Sequence, residues 1–201
     1  MAQASFLKRI PAWLWVVGVL VLIALWMVSV YNGLISKEGS VQSTWAQVEV
    51  EYQRRYDLIP QLVSTVQGAA DFEQSTLLEV TEARTNWLDT QSDPNASIDD
   101  QIAATTQLDS ALSRLLVSVE AYPTLTATEG FITLQSQLEG TENRISVSRM
   151  DYNNAATNYN VAIRKIPTNL VAGLFGFEAY TVFESEAGSE DAVDVEFDFG
   201  N

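Results

Sequence analysis

The residues best able to do chemistry in this chain are charges set among apolar side chains. The stretch from Trp45 to Val66 reads WAQVEVEYQRRYDLIPQLVSTV and holds Arg54, Arg55, Asp57 and Pro60. Positions 41, 45, 48, 52, 55, 59, 62 and 66 are Val, Trp, Val, Tyr, Arg, Ile, Leu and Val. Steps of three and four make these one helix face, with Arg55 its single charge. Arg54 points roughly 100° away, towards water. A guanidinium inside such a face needs a counter-ion, because an unpaired buried charge is very costly. Asp57, Glu120 and Glu142 are the candidate partners; a solvated pair whose stems snorkel past the core is the plainer alternative. A second polar block, LEGTENRISVSRM, carries Glu139, Glu142, Asn143, Arg144 and Arg149, and Asn153, Asn154, Asn158 and Asn160 extend it. Asparagine is a poor helix former. So many of them imply either interhelix hydrogen bonds that fix register or a protein-binding face.

Most catalytic schemes lack their parts. The 201 residues contain no histidine and no cysteine. The commonest general base, the commonest zinc ligand and the thiolate are therefore missing, as is any disulfide framework. A Ser–Lys scheme would need Lys8, Lys37 or Lys165, each near the apolar N-terminal segment or a helix end. A di-iron bundle site needs Glu-x-x-His pairs. The loop 89–100 has Asp89, Asp93, Asp99 and Asp100 but not the glycine and terminal glutamate of an EF-hand. Gly173–Gly176 is not followed by the Gly-Lys-Ser/Thr of a phosphate-binding loop. We read no catalytic residue, no cofactor site and no metal site.

The elements that must position these groups begin with residues 12–31, AWLWVVGVLVLIALWMVSVY, which hold no charge. Twenty helical residues span ~30 Å, the hydrocarbon thickness of a bilayer. Trp13 and Trp15 at one end and Tyr31 at the other suit the two interfaces. A cleaved signal peptide would have a shorter apolar region and a small-residue cleavage site, which SVYNG is not. Residues 1–11 form a short segment with Lys8 and Arg9, and these bases place it in the cytoplasm with the remainder outside. The expected location is a bacterial inner membrane, crossed once, with the domain on the periplasmic or outer side. Past the span, 26 acids face the remaining 9 bases, a balance of −17. Nucleic acid is an unsuitable ligand for such a surface.

Residues 32–39 read as a hinge or a continuation of the span. A helical domain follows over 40–183. Its first helix is expected over about 40–58 and its second over 60–91, because Pro60 either breaks or kinks the chain. SDPNAS at 92–97 is a turn with Ser97 as helix cap. The third helix runs over about 98–121, with Ile102, Leu108, Leu112, Leu115, Val119 and Tyr122 on one face. The fourth is the most regular: positions 131, 134, 138, 141, 145, 148, 152, 155, 159, 162 and 166 are Phe, Leu, Leu, Thr, Ile, Ser, Tyr, Ala, Tyr, Ala and Ile. Small residues at 148, 155 and 162 would admit a partner helix, with Tyr152 and Tyr159 between them. Residues 168–183 show no helical period and read as an ordered loop lying back on the bundle, or as one dipping into the membrane. Residues 184–201 are an acidic tail, solvated or able to add a strand to a partner's sheet. The fold class is all-α: one transmembrane helix carrying an antiparallel bundle of four helices, or of three with a kink at Pro60.

Several long blocks carry a resemblance. VYNGLISKEGSVQSTWAQVEVEYQRRYDLIPQLVSTVQGAA, LSRLLVSVEAYPTL, FITLQSQLEGTENRISVSRMDYNNAATNYN and PTNLVAGLFGF resemble the LemA family over roughly residues 30–183. The likeness implies a helical bundle. At 66–73 the family pattern VKGYAxHE meets VQGAADFE, so Gln67, Ala69 and Phe72 stand where Lys, Tyr and His would be. A role resting on that histidine does not carry over. Resemblance to magnetosome proteins of the same family implies membrane remodelling. Family members are often encoded near membrane proteases, which suggests an adaptor or regulatory subunit as the alternative. The expected function is a non-enzymatic, membrane-anchored scaffold that acts through self-association or contacts with other envelope proteins.

Overall fold

The computed structural model describes residues 11–68 and 73–183. Residues 1–10, 69–72 and 184–201, and with them Lys8, Arg9 and the acidic tail, lie outside the described residues. Six helices follow one another: α1 (Ala12–Gln67), α2 (Gln74–Ser92), α3 (Ile98–Val119), α4 (Pro123–Thr126), α5 (Glu129–Arg164) and α6 (Thr168–Phe175). Among the described residues there is no strand, and the all-α bundle read from the sequence is what forms.

The 56 residues of α1 make a helix about 84 Å long. Its first part is apolar on every side and exposed, including Trp13 and Trp15. It is long and apolar enough to cross a membrane. Residues 32–39 continue the helix without a hinge. The expected break at Pro60 does not occur. Val41, Trp45, Val48, Tyr52, Arg55, Ile59, Leu62 and Val66 are all buried along one face, on both sides of the proline. Pro60 itself faces solvent, so its ring does not interrupt the buried face. Continuous burial of that face outweighs a penalty of about 3 kcal/mol. The second helix therefore starts at Gln74 and not at residue 60.

Helix α5 lies antiparallel to α1. Trp45 meets Tyr152, and Glu51 meets Arg144. Helix α3 runs parallel to α1, with Trp45 bonded to Gln101 and Tyr52 to Asp109. Helix α2 is antiparallel to α3 through Asn86–Gln107 and Arg114–Glu79, and its Trp87 packs on Tyr56. The four long helices thus alternate in direction round one core. Ser97 caps α3 in a reciprocal box with Asp100, satisfying two end amides.

Two expectations for the last third need correction. On α5 the buried face follows 131, 134, 138, 141, 145, 148 and 152 as read, then moves to Ala156, Tyr159 and Ile163. Ala155 and Ala162 are half-buried, and Ile166 is 86% exposed. A straight helix drifts against a strict seven-residue repeat, so an extra four-residue step keeps the buried face aimed at α1. Residues 168–175 form helix α6 instead of loop. It ends at Gly176, whose φ of +74° suits glycine, and the Phe177 amide bonds back to the Ala172 carbonyl. Residues 177–183 then lie back on the bundle, as read.

Candidate functional site

Arg55 is 5% exposed in the middle of the α1 seam. Its Nη1 donates to Asp109 Oδ1 at 2.5 Å, and its Nη2 donates to Glu142. Asp109 Oδ2 accepts from the Tyr52 hydroxyl at 2.8 Å and from Arg149. The Arg149 guanidinium also reaches the Tyr52 hydroxyl and lies 4.8 Å from the centre of the Phe183 ring. Two cations and two anions from α1, α3 and α5 thus compensate one another. This is how the sequence hides a charge in an apolar face: burial strengthens the pairing that it makes necessary.

Of the three expected partners of Arg55, one is right. Glu142 pairs with it. Asp57 instead accepts from Gln53 on the exposed side of α1. Glu120 is exposed at the C-terminal end of α3 and lines the pocket near the cluster without an ion pair to Arg55. Asp109, the second partner, is not among the expected residues, although the sequence carries a signal for it. It is the only acid of α3 beyond the capped first turn, and it adjoins Leu108 at the edge of the buried face. The cluster forms one wall of a cavity of about 390 Å³, whose other walls include Leu112, Leu116, Phe131 and Leu138.

The remaining expected residues fall into separate places. Arg54 is exposed and pairs with Glu51 at 2.6 Å, while Arg144 bonds the same carboxylate at 3.0 Å from α5. Trp45 is buried, and its indole N–H donates to Gln101 and Glu49. Tyr152 is fully buried and donates to the Thr181 carbonyl at 2.7 Å. Tyr159 packs against the Tyr180 ring at 5.3 Å. Burial, and then the charges of Glu38, Tyr180 and Glu178, push the Tyr159 hydroxyl up to about 12. Burial raises Tyr152 and Tyr180 above the usual tyrosine range as well.

The asparagines of α5 do something the sequence did not disclose. The Asn160 amide exchanges two hydrogen bonds with the main chain of Tyr180, and Asn153 does the same with Phe183. Each side chain acts as a short stretch of neighbouring strand, holding 177–183 in place. Asn154 and Asn158 face solvent. Among the described residues no group of three or more metal-ligating side chains converges.

A model of the LemA family matches residues 44–197. Magnetosome protein MamQ 2 of Paramagnetospirillum magneticum is 27% identical over 184 residues, covering 81% of this chain and 68% of that protein. Magnetosome protein MamQ of Magnetospirillum gryphiswaldense is 25% identical over 184 residues, with the same shares covered. Protein LemA of Metamycoplasma hominis is 24% identical over 165 residues, covering 82% of this chain and 73% of that one.

Proposed function

The chain belongs to the LemA family, and on that premise we propose that it is a non-enzymatic scaffold, anchored by residues 12–31, that assembles with further copies of itself. One observation carries the reading. The outer surface between α1 and α5 is an open groove of about 670 Å³ that presents Val50 and Val147, both more than half exposed. Arg144 and Asp151 line the same groove. A patch holding both signs of charge beside apolar side chains can meet its own copy across a two-fold axis, with Arg144 facing Asp151. The buried cluster supports the non-enzymatic part, since its arginines and carboxylates are engaged with each other.

Native mass measurement of the full chain, with crosslinking in membranes, tests this. A dimer or larger assembly that falls to monomer in Val50→Glu/Val147→Glu supports it. A monomer with no self-crosslink overturns it, and capture of a membrane protease in place of a second copy would favour the adaptor role. Assembly of such a scaffold on the bilayer would organise or remodel the membrane. The N-terminal bases support a cytoplasmic N-terminus with the bundle on the periplasmic or outer side of the inner membrane. Labelling of Val117→Cys by an impermeant thiol reagent in intact spheroplasts checks the orientation; protection would reverse it.

A further inference from the structure

Helix α6 carries apolar side chains on both faces. Val171 and Ala172 are buried against the bundle, whereas Leu170 and Leu174, on the opposite side, are 70% and 68% exposed. Ile166 is 86% exposed and Phe175 53%. No charged residue occurs from Ile166 to Phe177. After Thr168 and Asn169 in its first turn, α6 is apolar all round from Leu170 to Phe175, and such a stretch belongs in an apolar medium on every side. Outside the Val50/Val147 groove, other large exposed apolar residues of the bundle, such as Leu78, Val117 and Ile132, come from different helices.

The position of α6 identifies that medium. Helix α5 runs back towards the apolar segment of α1, α6 makes the reversal, and 177–183 climbs away again along α5. Thus α6 is the part of the bundle nearest the anchor. The Tyr31 ring, at the end of the span, lies 4.8 Å from Phe175 and 5.6 Å from Phe177. Val30 and Leu34 join the same buried core as Ala172. Since α1 has no break between the span and the bundle, the height of α6 is fixed at the interface. Arg164 and Lys165 precede it, both exposed. Glu38, Asp99 and Glu178 line a hollow beyond its C-terminal end.

We propose that the Leu170/Leu174 face of α6, with Ile166, is a second membrane contact that inserts shallowly into the lipid leaflet beside residue 31. The occupant of this face is lipid, and the acids round the hollow stop deeper entry because they stay in water. This goes beyond the scaffold reading, and either can fail without the other.

The chain has no cysteine, so single thiols can be placed at will. Leu170→Cys, Leu174→Cys and, as a water-facing control, Val117→Cys carry an environment-sensitive fluorophore on the full chain in phosphatidylcholine vesicles. Unchanged helical circular dichroism verifies folding. At 170 and 174 the expected result is blue-shifted emission, loss of emission with headgroup-nitroxide lipid, and shelter from iodide. The 117 label should show the reverse. Labels at 170 and 174 that behave like the one at 117 overturn the proposal. Shelter from iodide without quenching by the nitroxide lipid also overturns it, because protein would then cover the face.

Discussion

Arg55 and Asp109 are unequal to the other charges of this chain because of where they sit. Arg55 has 7% of its side chain exposed and Asp109 23%, whereas Glu142 has 54%. Removing Arg55 takes a counter-ion from Asp109, leaving Arg149 to compensate it, and opens a hole in the seam. Arg55→Ala should cost on the order of 3–5 kcal/mol. Glu142→Gln, at a wet edge, should cost about 1 kcal/mol or less. Denaturant melts of the solubilised chain measure both, and equal costs would mean that the cluster is not buried. The buried tyrosines make stability fall at alkaline pH. Tyrosine in the unfolded chain ionises near 10, while folding holds Tyr159 neutral up to about 12. The folded form keeps its proton over that window, so stability is intact below pH 10 and falls as pH rises towards 12. Helical ellipticity and phenolate absorbance should change together there. Tyr159→Phe, which removes one titrating group, should move the midpoint upward.

At the scale of the helix, continuity of burial decided the outcome. Pro60→Ala restores a backbone hydrogen bond on an exposed face and should stabilise by about 1–3 kcal/mol. A thermal melt checks it, and a loss of stability would show that the helix is shaped around the proline. The α1 seam was readable because its eight positions keep step with the helix, and all eight are buried. Pro60 misled because local penalties are visible in sequence, while the packing that overrides them comes from Leu62 and Val66 meeting other helices. On α5 the seven-residue repeat was legible as far as Tyr152. Beyond it, small residues at 155 and 156 are indistinguishable without knowing where α1 lies. Helix α6 was hidden because Leu170 to Phe175, five apolar residues and a glycine, have no polar face to mark a period. Asp109 was legible in principle, as the one acid in the body of α3. The pairing of Asn153 and Asn160 with the main chain was not, since residues 177–183 carry no sign of where they return.

For the whole molecule, the join between span and bundle matters most. Gly33 and Gly39 look like a hinge, yet both are helical, and a Cβ added at either would meet nothing within 4 Å. Gly33→Ala and Gly39→Ala should each stabilise by about 0.5–1 kcal/mol and leave assembly unchanged. Loss of assembly in a stabilised double variant, read by crosslinking in membranes, would show that bending at this join is used.

An unjointed α1 makes the bundle a lever on its tether. Spans lean when their apolar length exceeds the local bilayer thickness, commonly by about 20°. Residues 32–67 extend the same rod by ~54 Å, so that lean carries the far end sideways by roughly 18 Å. Thinner lipid would therefore tilt the bundle further and thicker lipid would raise it upright. Imaging in nanodiscs of short and long acyl chains would record the angle, and an unchanged angle would disprove the coupling.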